Sequence, residues 1–330
     1  MTTTDTPVDV AELGTAFCSA KILLSALELG LFTELAGGPA TEAELRARLG
    51  LHARASADFF DALVALGLLA RDGELYRNSA IATEQLVRGP DYQGGFLEGA
   101  NFVLYPAWGQ LTTALRTGQP QAQGTVADAL RDPRTQLAYL AMQDSLSAPL
   151  AADLTTAIDW SGYRTVADIG GARGNLASLL LTALPHLTGH VFDQPANGGP
   201  FADHVRMRGV AERIGFTGGD LFRDPFPSAD VLVIGHVLAD FSLAERKSLV
   251  AKAYQAVTAG GTLLVYDPMT EPDRPEVGAL VASLHMLLMS DAGQVYPTAE
   301  CRELLLSAGF VDVDARRIAR GNTLVIGRKS

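Results

Sequence analysis

Residues 165–181 constrain this chain more than any other stretch. Thr165-Val166-Ala167-Asp168-Ile169 reads as a buried parallel strand with an acid at its end, Gly170-Gly171-Ala172-Arg173-Gly174 as a tight turn, and the apolar run 176–181 as the helix that follows. Glycines let a backbone approach a ligand with no Cβ in the way, and the free N–H groups that open a helix supply donors and a partial positive charge. The turn therefore predicts a ligand with a polar or charged head group. Spacing narrows its identity: a dinucleotide fingerprint counted from Gly170 needs glycine at 172 and 175, where the chain has Ala172 and Asn175. What is left is Asp168-x-Gly170-Gly171-x-x-Gly174, set against the competing reading of an ordinary strand-to-helix turn.

The surrounding sequence continues in the α/β manner from about residue 160. Residues 189–193 form a second strand ending in Asp193, where a carboxylate can accept both hydroxyls of a ribose. Gly218-Gly219-Asp220-Leu221-Phe222 then sets another acid beside apolar side chains, the combination that receives an adenine ring and its exocyclic amine. Residues 229–235 and 260–267 predict two more strands, and residues 310–314 and 323–327 a hairpin-like pair that closes the sheet. Three acids at successive strand ends specify a nucleoside site far better than any one alone.

Ahead of that region the pattern is helical. Leu13, Phe17, Ile22, Leu23, Leu27 and Leu31 recur at helical spacing, with Gly30 as a C-cap. Thr41 and Glu44 form a capping box opening a helix that stops at Gly50, and Phe59, Phe60, Leu63, Val64 and Leu66 lie on the next helix, which stops at Gly67. Residues 68–71 and 74–76 flank the turn Asp72-Gly73, so the order is that of a winged helix. A DNA-reading version would show basic and amide side chains on the second helix, yet residues 54–63 carry one Arg against two Asp. With a net charge of −11 the chain offers no obvious phosphate-binding surface, so no nucleic-acid partner is expected. The apolar helix at 13–31 predicts instead a face for a two-fold partner.

Phe96, Asn101, Phe102, Tyr105 and Trp108 fall at spacings that place several of them on one side of a helix, with Met142 and Gln143 arriving from another. Each alone reads as core packing, but together they can wall an aromatic ligand pocket. Residues 119–124 break this section as a loop, and Pro149 starts or bends a helix near 149–159. The expected organisation is thus 1–95 as a dimerisation domain, 96–155 as connecting helices lining a pocket, and 156–330 as the α/β domain. At 330 residues and 48% hydrophobic content the chain can bury two cores. Cys18 and Cys301 give no disulfide framework or metal-ligand spacing, residues 1–5 have no basic or apolar character of a signal peptide, and no run of membrane-span length is expected. A cytoplasmic protein without a membrane partner follows.

Nearly the whole chain resembles the S-adenosylmethionine-dependent small-molecule O-methyltransferases, the caffeic acid and hydroxyindole type with its bacterial antibiotic-tailoring branch. The resemblance rests on the glycine turn, the acids at 193 and 220, and the winged-helix start. It implies an α/β class I methyltransferase sheet, Rossmann-like, behind an N-terminal all-α, winged-helix homodimerisation domain, S-adenosyl-L-methionine as cofactor, and a small aromatic or polyketide-like acceptor. Carried onto this chain, Gly170 and Gly171 would lie under the methionine part, Asp193 would hold the ribose, and Asp220, Leu221 and Phe222 the adenine, with Phe241 packing beside it. Gln194 stands where relatives have an apolar residue, and His236 is expected to face the cofactor.

The departure lies at the base. A base assists a phenol in losing its proton, and the family places a His in a His-Asp-Trp sequence after the fourth strand. Here the segment is Gly235-His236-Val237-Leu238-Ala239-Asp240-Phe241, with Ala239 at the base position, whereas the flanking acid matches as Asp267. His285, on the 283–287 segment that lines the pocket in relatives, is one replacement; Asp267 acting through water is another, and a substrate already acidic is a third. The candidate catalytic residues are therefore His285, Asp267 and Asp240. Asn101, Tyr105, Trp108, Met142, His285, Met286 and Met289 are the candidate substrate contacts. A metal triad of His236, Asp240 and His285 is disfavoured because nothing aims the three at one centre. Methylation of an activated carbon, or a fold turned to a non-methylating reaction, are the alternatives to hydroxyl methylation.

Overall fold

The computed structural model describes residues 8–330 apart from 55, 90–91, 123–132, 272 and 274–275, and apart from the side chains of 133–135 and 138. It divides into two compact units, Met1–Phe102 and Val103–Ser330. Residues 123 and 124 of the loop expected at 119–124 thus lie outside the described residues. In the part that is described, the backbone N–H groups of Gln121 and Ala122 both donate to Leu288 O at 2.9 Å.

In the first unit, Asp9 caps the helix Val10–Glu28 by accepting from Ala11 and Glu12 N–H, and Gly30 at φ 72° turns the chain into the helix Leu31–Leu35. The Thr41–Glu44 capping box opens Glu42–Leu49, which ends at Gly50, and the helix Ser56–Ala65 follows. Strands β1 (Ala40–Thr41), β2 (Leu69–Asp72) and β3 (Leu75–Asn78) pair antiparallel in the order β1-β3-β2, with Gly73 at φ 57° in the hairpin. Leu27, Leu31, Phe32, Leu45, Phe60, Leu63 and Tyr76 fill the core between these elements. Asp61 of the second helix takes Arg71 of the hairpin at 2.8 Å and the Tyr76 hydroxyl at 2.8 Å, so this acid and base of the wing answer each other.

The helix Val10–Glu28 is, among the described residues, the one that is long and apolar enough to cross a bilayer by length and composition alone, which corrects the expectation that no such run exists. Its Leu24, Ala26 and Leu27 are buried in the unit's core, whereas Val10, Leu13 and Phe17 are 78, 68 and 58% exposed.

The second unit is built on a seven-stranded sheet. β4 (Thr165–Ile169), β5 (Thr188–Asp193), β6 (Ile214–Gly218), β7 (Ala229–Gly235), β8 (Val257–Asp267), β9 (Val311–Arg317) and β10 (Thr323–Arg328) lie in the order β6-β5-β4-β7-β8-β10-β9. The pairs from β6 through β8 are parallel; β10 runs antiparallel to both β8 and β9, so the expected closing pair is present with its second strand inserted beside β8. Both faces are covered. Leu176, Leu180 and Leu181 of the helix Asn175–Ala183 pack on one side with Leu150 and Leu154, and Leu249, Val250, Leu304 and Leu305 on the other, which is why the central strands read as unbroken apolar runs. Pro149 neither starts nor ends a helix: it lies inside one, Pro133–Thr155.

Leu13 and Phe17 together present the apolar surface that a second copy would cover. Replacing both by Asp is expected to leave the fold intact and shift the chain toward monomer in sedimentation equilibrium. A wild-type chain that is monomeric at every concentration would show that this face has no like partner.

Candidate active site

The strand order reverses at β4, whose neighbours β5 and β7 continue to opposite sides, and ligands of open α/β sheets bind at the carboxyl ends beside such a point. Here that end carries the glycine turn. Gly170 at φ 77° donates its N–H to Phe192 O at 2.8 Å, and a Cβ on it would come within 2.4 Å of Val237 Cγ2. A Cβ on Gly171 would meet Asp168 Oδ2 at 2.5 Å, so the turn lies directly over that carboxylate. Gly174 at φ 78° is the N-cap of the helix Asn175–Ala183.

Asp168 is 4% exposed, and its Oδ2 has no hydrogen-bond partner among the described residues. Burial, and then the charge of Asp193, push its pKa up to about 7. An orphaned buried carboxylate oxygen beneath a glycine turn is suited to a cationic head group, because a native buried polar atom is ordinarily paired. Asp193 is the opposite case. Its Oδ2 accepts from Ala172 N–H at 2.7 Å, and its Oδ1 from Gln194 N–H at 2.6 Å and Asn197 Nδ2 at 2.8 Å. Burial raises its pKa while these donors pull it down. The Gln194 side chain is exposed, so its described contribution is that backbone donor.

On the next strand end, Asp220 Oδ1 accepts from Phe222 N–H at 2.8 Å and Arg223 N–H at 3.2 Å, and these backbone donors lower its pKa. Leu221 packs on the central core and gives its carbonyl to Lys252 Nζ at 2.5 Å. Phe222 meets Phe241 edge to face with centroids 5.0 Å apart, which brings together two aromatics that the sequence placed 19 positions apart. An acid beside an apolar, aromatic shelf is the arrangement expected for a purine.

The turn after β7 is a short 3-10 segment, Leu238–Asp240, with Ala239 buried. Asp240 is exposed as a residue, while burial of its carboxyl group raises its pKa to about 6. Asp267, at the end of β8, is fully buried and accepts the Tyr296 hydroxyl at 2.7 Å; burial is the main cause that raises its pKa to about 8. Arg246 holds this corner rigid. It donates to Leu238 O, to Glu300 Oε1 at 2.7 Å and to Gln294 O at 2.6 Å, with its guanidinium 4.2 Å over the Tyr296 ring.

His285, on the helix Val277–Met289, meets Trp108 edge on with centroids 5.1 Å apart, and burial lowers its pKa. Met286 packs on the central core, and Met142, Met289 and Tyr105 are partly exposed. Asn101 belongs to the first unit, where Lys21 donates to it at 2.6 Å and its amide donates to Glu28 at 2.8 Å. The His236 ring is hydrogen-bonded to Asn322 Oδ1 at 2.8 Å and meets Tyr266 edge on. No group of three or more His, Cys, Asp or Glu side chains gathers as for a metal ion among the described residues.

Tyr139 went unread in the sequence. Gln143 donates to its hydroxyl at 2.8 Å, and burial together with the nearby charges of Asp240 and Asp193 pushes the phenol pKa up. Its spacing with Met142 and Gln143, three and four residues on, is the helical-face signal that could have found it. Arg173 was also missed: its Nε and Nη2 reach Asp144 Oδ2 at 2.9 and 2.5 Å, tying the glycine turn to the helix that carries Tyr139.

The fold is an open, mostly parallel α/β sheet with a glycine turn and a row of acids at its strand ends. A family model for the O-methyltransferase domain matches residues 108–311, and one for the O-methyltransferase dimerisation domain matches residues 11–88. The tetracenomycin polyketide synthesis 8-O-methyl transferase TcmO of Streptomyces glaucescens is 44% identical over 98% of this chain and 97% of its own length. The N,N-dimethyltransferase OxyT of Streptomyces rimosus is 41% identical over 96% and 95%. Human N-acetylserotonin methyltransferase, solved in complex with S-adenosylmethionine, superposes with a TM-score of 0.90 over 99% of this chain and 100% of its own, at 26% identity. The chain belongs to the O-methyltransferase family, and it is an S-adenosylmethionine-dependent enzyme with a dimerisation domain at its N-terminus.

Two outcomes test the site. Asp193→Ala is expected to weaken S-adenosylmethionine binding by about 2–4 kcal/mol, because it removes a charged acceptor; unchanged affinity by calorimetry would take Asp193 out of the site. The second concerns Asp168. Its folded pKa lies above the ordinary 3.8, so the stability linked to its protonated form is full below 3.8 and is lost as pH rises through about 7. Asp168→Asn, neutral throughout, should raise the Tm of the cofactor-free chain by about 2 °C or more at pH 8 and by less at pH 5. Parallel pH slopes for variant and wild type would show that Asp168 ionises freely in the fold.

Proposed function

We propose that this enzyme methylates a hydroxyl of a small aromatic, polyketide-like natural product, working as a cytoplasmic homodimer through its 11–88 region. The observation that carries the acceptor class is the Trp108–His285 edge contact on the helix that also bears Met286 and Met289, an aromatic and thioether surface suited to a flat apolar ring. The TcmO relative's name points the same way. Asp168 beneath the glycine turn would hold the methionine ammonium, Asp193 the ribose, and Asp220 with Phe222 and Phe241 the adenine.

S-adenosylmethionine supplies a methyl group already activated on a sulfonium. The protein's tasks are then to align the acceptor oxygen behind that methyl, to keep water out, and to receive a proton. Trp108, Tyr105, Met142, Met286 and Met289 serve the first two. Asp240, His285 and Asp267 acting through water are the groups available for the third. A second reading, transfer to an amine, draws on the 41% identity to an N,N-dimethyltransferase.

The test is incubation with methyl-labelled S-adenosylmethionine and a panel of polycyclic phenols and aromatic amines. Label is expected in ether linkage on a phenol. Label recovered only on nitrogen would replace the hydroxyl reading with the amine one.

A further inference from the structure

Hydroxyl methylation releases a proton, and the inference that follows rests on the hydroxyl reading above. We propose that the Asp240 carboxylate takes this proton, acting as the catalytic base of the methyl-transfer step. As the acceptor oxygen forms its bond to the methyl carbon, the carbon–sulfur bond breaks with its electron pair going to sulfur. The O–H bond breaks with its proton going to an Asp240 oxygen, from which solvent collects it.

The other four acids at the strand ends are occupied or sealed. Asp193 accepts three hydrogen bonds, and Asp220 accepts two backbone donors. Asp267 is fully buried on Tyr296, and Asp168 lies 4% exposed beneath Gly171. Asp240 alone among these five is an exposed residue whose carboxylate accepts no hydrogen bond among the described residues. Its backbone is nevertheless fixed. The Asp240 N–H donates to Val237 O at 3.1 Å, and Gln294 N–H donates to the preceding carbonyl of Ala239 at 2.8 Å. Gly293 comes so close that a Cβ on it would lie 3.3 Å from Asp240 Cα. The result is a carboxylate held from behind and free at its reacting end, with the short side chain of Ala239 beside it.

The groups around it agree with that role. Tyr139, from the helix Pro133–Thr155, feels the charges of both Asp240 and Asp193, which add to burial in raising its phenol pKa. Asp267 on β8 faces it as a second acid, with Arg246 of the helix Leu243–Ala256 offsetting Asp267, and Asp291 of the following loop is exposed. Enclosure holds Asp240 near 6, high enough to attract a proton and low enough to be ionised at neutral pH. His285 is the rival base, but its ring lies edge on against Trp108 and burial lowers its pKa.

The experiment compares wild type, Asp240→Asn, Asp240→Glu and His285→Ala with one weakly acidic phenol across pH 5–9, with S-adenosylmethionine affinity by calorimetry as the check on folding. Wild-type kcat is expected to fall below about pH 6. Asp240→Asn should bind the cofactor normally, lose about 10²-fold in kcat at pH 7 and lose the acidic limb. Asp240→Glu should recover part of the rate, His285→Ala should keep the limb, and a nitrophenol already ionised at pH 7 should remove most of the Asp240→Asn deficit. Near-normal kcat in Asp240→Asn, or an acidic limb that survives there and vanishes in His285→Ala, overturns the assignment while leaving hydroxyl methylation standing. A wild-type enzyme that methylates none of the phenols but turns over amines overturns both.

Discussion

The hydrogen bond from Ala172 N–H to Asp193 Oδ2 is the contact on which the cofactor end of the sheet depends. It joins the glycine turn after β4 to the end of β5, and it exists only because parallel pairing sets Ile169 opposite Phe192, so that both strands finish together. Gly170 closes the same gap from its other side by donating to Phe192 O. With the turn pulled down in this way, Asp168 is roofed by Gly171 and its carboxylate is taken out of water. A single register thus creates both the acid that is saturated and the acid that is left without a donor.

Five aspartates at one edge illustrate how environment, not residue type, assigns a role. Backbone donors lower Asp220; burial lifts Asp168 and Asp267 to about 7 and about 8; Asp193 is pulled both ways; Asp240 stands near 6, enclosed but unpaired. Carboxylates whose environments push their pKa values apart are how one site can hold a cation, a sugar and a titrating proton at once. Arg246 has a different part. Its three hydrogen bonds and its stacking on Tyr296 pin the Leu238–Asp240 turn against the 290–297 segment, so the proposed base is presented by a rigid corner.

The strands of the second unit were legible because a parallel sheet covered on both faces demands apolar runs, and residues 165–169, 229–235 and 323–327 supply them with turn residues at their ends. The first unit was legible through its caps: Thr41 with Glu44, Gly50, and the Gly73 hairpin are local signals that need no tertiary context. Pro149 reads as starting or bending a helix, and it lies inside the helix Pro133–Thr155, whose Leu150 and Leu154 are buried in the core of the second unit. Val10–Glu28 reads as an apolar helix with a face for a partner, but which half finds a core was not legible: only Leu24, Ala26 and Leu27 are buried.

By itself the sequence determined the α/β class, the glycine turn and the order of the acids, since each depends on residue type and short spacing; that an imidazole is missing at Ala239 came from the family resemblance. Only the tertiary structure decided which side chains meet. It tied His236 to Asn322 across 86 positions, joined Arg173 to Asp144, brought Trp108 onto His285, and left Asp240 unpaired beside Tyr139. Periodicity says which face of an element is apolar, but hydrogen-bond partners and desolvation come from elements distant in the chain, and they set what each polar side chain can do.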